Sequence, residues 1–132
     1  MALLIDTDLL IDLERGVGTA AIEQLLSDED RAIGVITVSE LLHGALRATG
    51  ARRLRRRAFV EHLLGGLQAI PITEPVARIH AEVWSHLAGR GAVIGAHDLW
   101  IAATALAHGL GVATSKRADF ERVAGLRVVA PA

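Results

Sequence analysis

Short unbroken apolar runs alternate along the chain with longer stretches in which apolar residues recur every three or four positions. The first run, Ala2-Leu3-Leu4-Ile5, is too short for a helix and reads as a buried strand. Asp6-Thr7-Asp8 then turns into a short helix over residues 9–15, stopped by Gly16. A second helix covers residues 19–28, with Thr19 as its N-cap and Ala20, Ile22, Leu25 and Leu26 inward. Asp28-Glu29-Asp30 makes a charged turn. Residues 32–36 are rich in β-branched side chains and form a second strand. Helices follow over 37–49, ended by Gly50, and over 51–64, ended by a loop at Gly65-Gly66. A third strand spans 67–72, where Pro71 marks an end or an edge. Val76, Ile79, Val83, Trp84 and Leu87 share one face of a helix over 74–87. Residues 92–97 form a loop or a short extended piece, and residues 99–107 a helix apolar nearly all round, hence buried. The chain closes with a strand at 112–114, a helical turn at 119–123 and a last strand at 127–129. Strands alternating with helices predict an α/β fold, a mainly parallel sheet with helices on both faces. No linker or repeat divides residues 1–132, so a single domain is expected.

Composition narrows the field. Hydrophobic residues make up 52% and charged residues 22% of the 132, enough for a core and too apolar for bulk disorder. There are no cysteines, which excludes disulfides and zinc-thiolate sites and is compatible with a cytoplasmic home. Residues 1–5 are too short for the apolar part of a signal peptide, and no run approaches the ~20 residues that span a bilayer. The net charge of −1 exerts no global pull on nucleic acid, but five arginines crowd into residues 52–57. Lys116 is the only lysine. Guanidinium forks match phosphate oxygens, which fits a nucleic-acid partner without establishing one.

The acids carry the chemistry. Asp6 follows strand one, Glu40 strand two and Asp119 strand four, so parallel strands bring all three to one sheet edge. Asp98 opens the buried helix and reaches that edge if the preceding loop folds over it. Carboxylates gathered without a cation would repel one another. Magnesium or manganese, which take hard oxygen ligands, would resolve the conflict and support phosphodiester hydrolysis. Singly, each acid also has a structural reading. Thr37 and Glu40 have capping-box spacing, Asp98 suits a helix dipole, Asp6 or Asp8 caps the first helix, and Asp119 is a first-turn acid.

Taken together, these segments resemble the PIN-domain nucleases. Leu4-Ile5-Asp6-Thr7-Asp8-Leu9-Leu10 is similar to that family's opening motif, and Thr37-Val38-Ser39-Glu40-Leu41-Leu42-His43-Gly44 to its second. Asp98-Leu99-Trp100-Ile101-Ala102-Ala103-Thr104-Ala105 resembles the third, and Val112-Ala113-Thr114-Ser115 with Asp119-Phe120 the fourth. The compact length resembles VapC-type toxins of bacterial toxin–antitoxin pairs. The resemblance implies a three-layer α/β/α fold on a parallel five-stranded sheet and Mg²⁺- or Mn²⁺-dependent RNA cleavage. It also implies a homodimer and a cognate antitoxin that inhibits it. By position, Asp6 and Asp98 would be the main metal ligands, with Glu40 binding or positioning the metal. Many relatives carry Asp or Asn two residues after the threonine; here Lys116 stands there. Asp119 would then supply the fourth acid, or Lys116 would meet phosphate.

The arginine run has three readings: RNA phosphates, an acidic antitoxin segment, or a solvated helix face. His97, His43 and Arg47 are candidates to line the cleft, and Trp84 and Trp100 to pack in the core or a dimer interface. Two other functions compete. Asp6-Thr7-Asp8 also resembles the nucleophile motif of haloacid-dehalogenase-type phosphatases, with Thr37 and Lys116 on phosphate, although Leu10 departs from that pattern. A non-catalytic RNA- or protein-binding domain would use the acids only as caps.

Overall fold

The computed structural model describes residues 2–27 and 29–132. Its elements, in chain order, are β1 (Leu3–Ile5), α1 (Thr7–Arg15), α2 (Thr19–Leu26), β2 (Arg31–Gly34), α3 (Val35–Arg47) and α4 (Gly50–Gly66). There follow β3 (Gln68–Ile70), α5 (Glu74–Gly89), α6 (Ala96–Ala107), β4 (Gly111–Ala113), α7 (Arg117–Phe120) and β5 (Val128–Val129). The five strands form one sheet in the order β3-β2-β1-β4-β5, with every pairing parallel.

Side-chain alternation along the strands divides the core in two. Leu3, Ile5, Ile33 and Ala113 face α1 to α4, where they meet Leu9, Leu10, Ile22, Leu41 and Val60. Leu4, Ala32, Ile70 and Val112 face the opposite layer, packing on Leu87, Leu99, Ile101, Ala102 and Phe120. Strands buried on both faces read as continuous apolar runs, which is why residues 3–5 and 112–113 show no polar break. The three layers are therefore α1–α4, the sheet, and α5–α7.

The alternation of elements is as expected; several boundaries are not. Val35 and Ile36 begin α3 instead of extending β2, because Gly34 in an extended conformation already ends the strand and serves as the N-cap. Thr37 thus lies inside the first turn. Gly50 opens α4 at φ 60°, so the break between α3 and α4 falls at Ala48 and Thr49. Gly65 and Gly66 form the last turn of α4 and no loop. Ala96 and His97 belong to α6, which starts after Gly95. The charged turn called at 28–30, and the end of the helix before it, include Asp28, which lies outside the described residues.

The chain order reverses at β1: β2 and β3 lie on one side, β4 and β5 on the other. In open parallel sheets the crevice beyond the carboxyl ends of the strands at such a switch point is where ligands bind. Asp6 follows β1 directly and Thr114 follows β4 directly, so both stand at that crevice.

Candidate active site

Asp6 is fully buried, yet its side chain caps no helix. It occupies the N-cap position of α1, where its backbone carbonyl accepts from the Leu9 amide at 3.1 Å. Its own amide donates to the Ala113 carbonyl at 2.9 Å, tying the end of β1 to β4. The carboxylate is thereby released toward β4. The Thr114 hydroxyl donates to Asp6 Oδ2 at 2.7 Å and accepts from the Lys116 amide at 2.9 Å. Asp6 Oδ1 is buried with no hydrogen-bond partner.

Burial dominates the electrostatics of Asp6. Desolvation raises its pKa from 3.8 to about 6, against the Thr114 hydrogen bond and the Lys116 charge, with Asp98 and Asp8 pushing the same way as burial. Keeping that carboxyl ionised at neutral pH costs about 3 kcal/mol. The three residues before it, Leu3, Leu4 and Ile5, are wholly buried and offset this by roughly 1.5–3 kcal/mol each.

Asp98 comes from the opposite layer, in the first turn of α6, where the helix dipole favours an anion. Lys116 joins it to Asp6. The ammonium donates to both Asp98 oxygens, at 2.8 and 3.0 Å, and lies 3.2 Å from Asp8 Oδ2 and 4.0 Å from Asp6 Oδ2. Desolvation pulls the Lys116 pKa down, but the hydrogen bond to Asp98 and the three surrounding carboxylates outweigh it and hold it above the ordinary lysine value. An ammonium of the chain itself therefore supplies the positive charge that the gathered acids require.

Glu40 stands beside this cluster on α3. Thr7 Oγ1 lies 2.8 Å from Glu40 Oε1 and 2.9 Å from Thr37 Oγ1. A carboxylate only accepts, so the single Thr7 proton goes to Glu40 and the Thr37 hydroxyl donates to Thr7. The capping-box reading fails here: Thr37 is wholly buried, and neither its side chain nor that of Glu40 caps α3. Glu40 Oε2 faces His97 Nδ1 at 3.3 Å. Asp119 is placed differently. It lies on α7 and pairs with Arg122 at 3.7 Å, while Lys116, three residues earlier, is what this segment brings to Asp6 and Asp98.

A hollow of about 520 Å³ opens from Glu40, Thr7 and His97. Its far wall is basic, formed by Arg15, Arg47, Arg52 and Arg56 with His43. The arginine run thus divides. Arg56 is tied down, donating to Glu14 Oε1 at 2.7 Å and to the Gly44 carbonyl at 3.2 Å. Arg57 pairs along the exposed face with Glu61, and Arg52 reaches the hollow.

Among the described residues, no three acidic or histidine side chains stand grouped as a ready cage for a metal. The donors that are present nonetheless suit a hard cation. Asp6 Oδ1 is buried and unpartnered, Asp98 has two oxygens that now accept from Lys116, and magnesium typically takes one or two carboxylates and completes its shell with water.

Sequence reasoning named Asp6, Glu40 and Asp98 but assigned no role to Thr114 or to Thr7, whose hydroxyls orient two of them. The available signal was a threonine at the tip of an apolar strand and another directly after Asp6. It also gave Asp8 no part beyond capping, whereas Asp8 shares the Lys116 ammonium.

The PIN domain family matches residues 3–126, and the chain belongs to that family. Among curated relatives it is similar to Ribonuclease VapC1 of Rickettsia felis, 33% identical over 98% of this chain and 96% of that protein. Among solved structures it resembles the DNA-bound VapBC of Salmonella typhimurium, with 26% identity, TM-score 0.86 and 98% of both chains covered. It also resembles FitAcB of Neisseria gonorrhoeae, with 29% identity and TM-score 0.81, covering 96% of this chain and 95% of that one. Family membership displaces the phosphatase reading, and the geometry supplies the reason. Thr37 is wholly buried with its hydroxyl on Thr7, so it is not set to receive a phosphate beside Asp6.

Proposed function

We propose that the protein is the ribonuclease toxin of a bacterial toxin–antitoxin pair, a single PIN-type nuclease domain over residues 1–132 that cleaves RNA phosphodiester bonds. The observation that carries this reading is the buried, half-unpartnered Asp6 carboxylate, joined to Asp98 through Lys116 at the switch point, with Glu40 and His97 standing between that cluster and the arginine-lined hollow. Asp6 and Asp98 would hold Mg²⁺ or Mn²⁺. Such a cation, when bound, activates water and neutralises charge on the phosphoryl group. Glu40, fixed by Thr7, keeps Oε2 toward His97 at the mouth of the hollow, where it can accept a proton or position the metal. Arg15, Arg47 and Arg52 hold the RNA backbone by its phosphates. Asp119, on α7 and paired with Arg122, is the further acid of the fourth motif.

The VapBC and FitAcB likenesses support a cognate antitoxin as partner. A homodimer is supported by the face of α5, α6 and the loop between them, where Trp84 on α5 and Val93 in the loop are exposed beside an apolar hollow of about 460 Å³. Among the described residues no helix is long and apolar enough to cross a membrane.

The test is incubation of purified, antitoxin-free protein with total RNA, with Mg²⁺ and with chelator, followed by mapping of cut ends. Discrete cuts that need the cation and vanish in Asp98→Asn are expected. Intact RNA under all conditions would refute the reading.

A further inference from the structure

We propose that Lys116 is a built-in competitor for the metal: its ammonium and a divalent cation are alternative occupants of the Asp6–Asp98 crevice. This rests on the reading of Asp6 and Asp98 as metal ligands. Both oxygens of Asp98 are already taken by Lys116 Nζ, at 3.0 and 2.8 Å. A magnesium ion must come within about 2.1 Å of one of those oxygens. If the ammonium kept its place on that oxygen, the two cations would lie at most about 5 Å apart in a partly buried site, where their repulsion is weakly screened.

The surrounding geometry lets the lysine leave without unravelling the turn. Its amide is anchored separately, on the Thr114 hydroxyl that also holds Asp6. Its charge rides on a flexible stem. Asp8, 3.2 Å from Nζ and near half-exposed, gives the ammonium a second carboxylate on the solvent side. With no metal bound, Lys116 prevents Asp98, Asp8 and buried Asp6 from facing one another as bare anions. With the metal bound, that task passes to the metal. Lys116 therefore weakens metal affinity and, in return, makes the fold independent of metal.

The experiment is calorimetric titration of Mn²⁺ into wild type, Lys116→Met, Lys116→Gln, Lys116→Arg and Asp98→Asn, each stripped with chelator. Thermal unfolding of each is followed with and without Mn²⁺. Loss of the ammonium in the Met and Gln variants is expected to tighten Mn²⁺ binding roughly ten-fold or more, while Arg stays near wild type. The melting temperature of the two uncharged variants falls in chelator and recovers with Mn²⁺; wild type shifts much less. A Met variant that folds only with Mn²⁺ also supports the proposal, since the cation then replaces the ammonium. Wild type that binds Mn²⁺ through Asp98, with Met and Gln variants binding no tighter, overturns the competition alone. No Mn²⁺ binding by any of these proteins overturns both the competition and the metal reading.

Discussion

The carboxyl of Asp6 stores a conflict that pH can expose. Its pKa is raised from 3.8 to about 6, so the folded chain binds more protons than the unfolded chain between those values. Stability contributed by the protonated form is therefore lost as pH rises through this window. Asp6→Asn is expected to stabilise metal-free protein by about 1–3 kcal/mol at pH 7.5, fading below pH 4, while abolishing cleavage. Urea unfolding at the two pH values, beside an RNA cleavage assay, measures both; a variant less stable at pH 7.5 contradicts the burial argument. Thr114→Val acts in the opposite direction. It leaves Asp6 Oδ2 and the Lys116 amide without the hydroxyl between them, at a cost of about 1–3 kcal/mol on the same unfolding curves. Asp6 and Glu40 were legible from their places after strands; Asp98 depended on how the loop before α6 folds, and Asp119, also placed after a strand, pairs with Arg122 instead. The hydroxyls were not legible, because a threonine's partner depends on which strand lies beside it.

At the scale of elements, α4 has two faces that its arginine run conceals. Arg56 binds α4 to α1 through Glu14 and to α3 through the Gly44 carbonyl, all half-buried. Arg56→Ala is expected to destabilise the fold by about 1.5–3 kcal/mol, and Arg53→Ala by no more than about 0.5. Arg52→Ala leaves stability alone but weakens RNA binding and lowers its salt dependence by about one phosphate contact, readable from affinities at several salt concentrations. Equal losses of stability in the Arg52 and Arg56 variants would show that position in the run does not matter. Charge clustering was visible in the chain; the division was not, since it depends on where Glu14 and Gly44 lie in space. Boundaries were misjudged at Gly34, Gly50 and Gly65-Gly66 for a related reason. What a glycine does depends on the backbone its surroundings give it: Gly34 is extended and ends β2, Gly50 at φ 60° opens α4, and Gly65 and Gly66 continue α4.

For the whole molecule, the α5–α6 layer has one side against the sheet and one unpartnered. Val76 and Leu87 are buried, whereas Trp84 is 61% and Val93 75% exposed. Between them His80 stacks on Trp100 at 3.6 Å and meets Trp84 edge-on at 5.8 Å, and desolvation lowers its pKa. Of the two readings for Trp84, core or dimer interface, its exposure excludes the core, and that exposure is why we propose this face for a second copy. Trp84→Glu is expected to give a monomer by light scattering with its melting temperature little changed. A dimer that persists would move the interface elsewhere.

Apolar runs and their spacing were enough to establish alternating strands and helices, the parallel sheet and the order in which the acids arrive, because burial on two faces leaves a local imprint on sequence. Which charge answers those acids was decided only in three dimensions. Asp8 is Asp6's neighbour in the chain, but Lys116 and Asp98 lie on separate segments, and the pairing of β4 with β1 is what carries Lys116, with Asp98 on its ammonium, to Asp6.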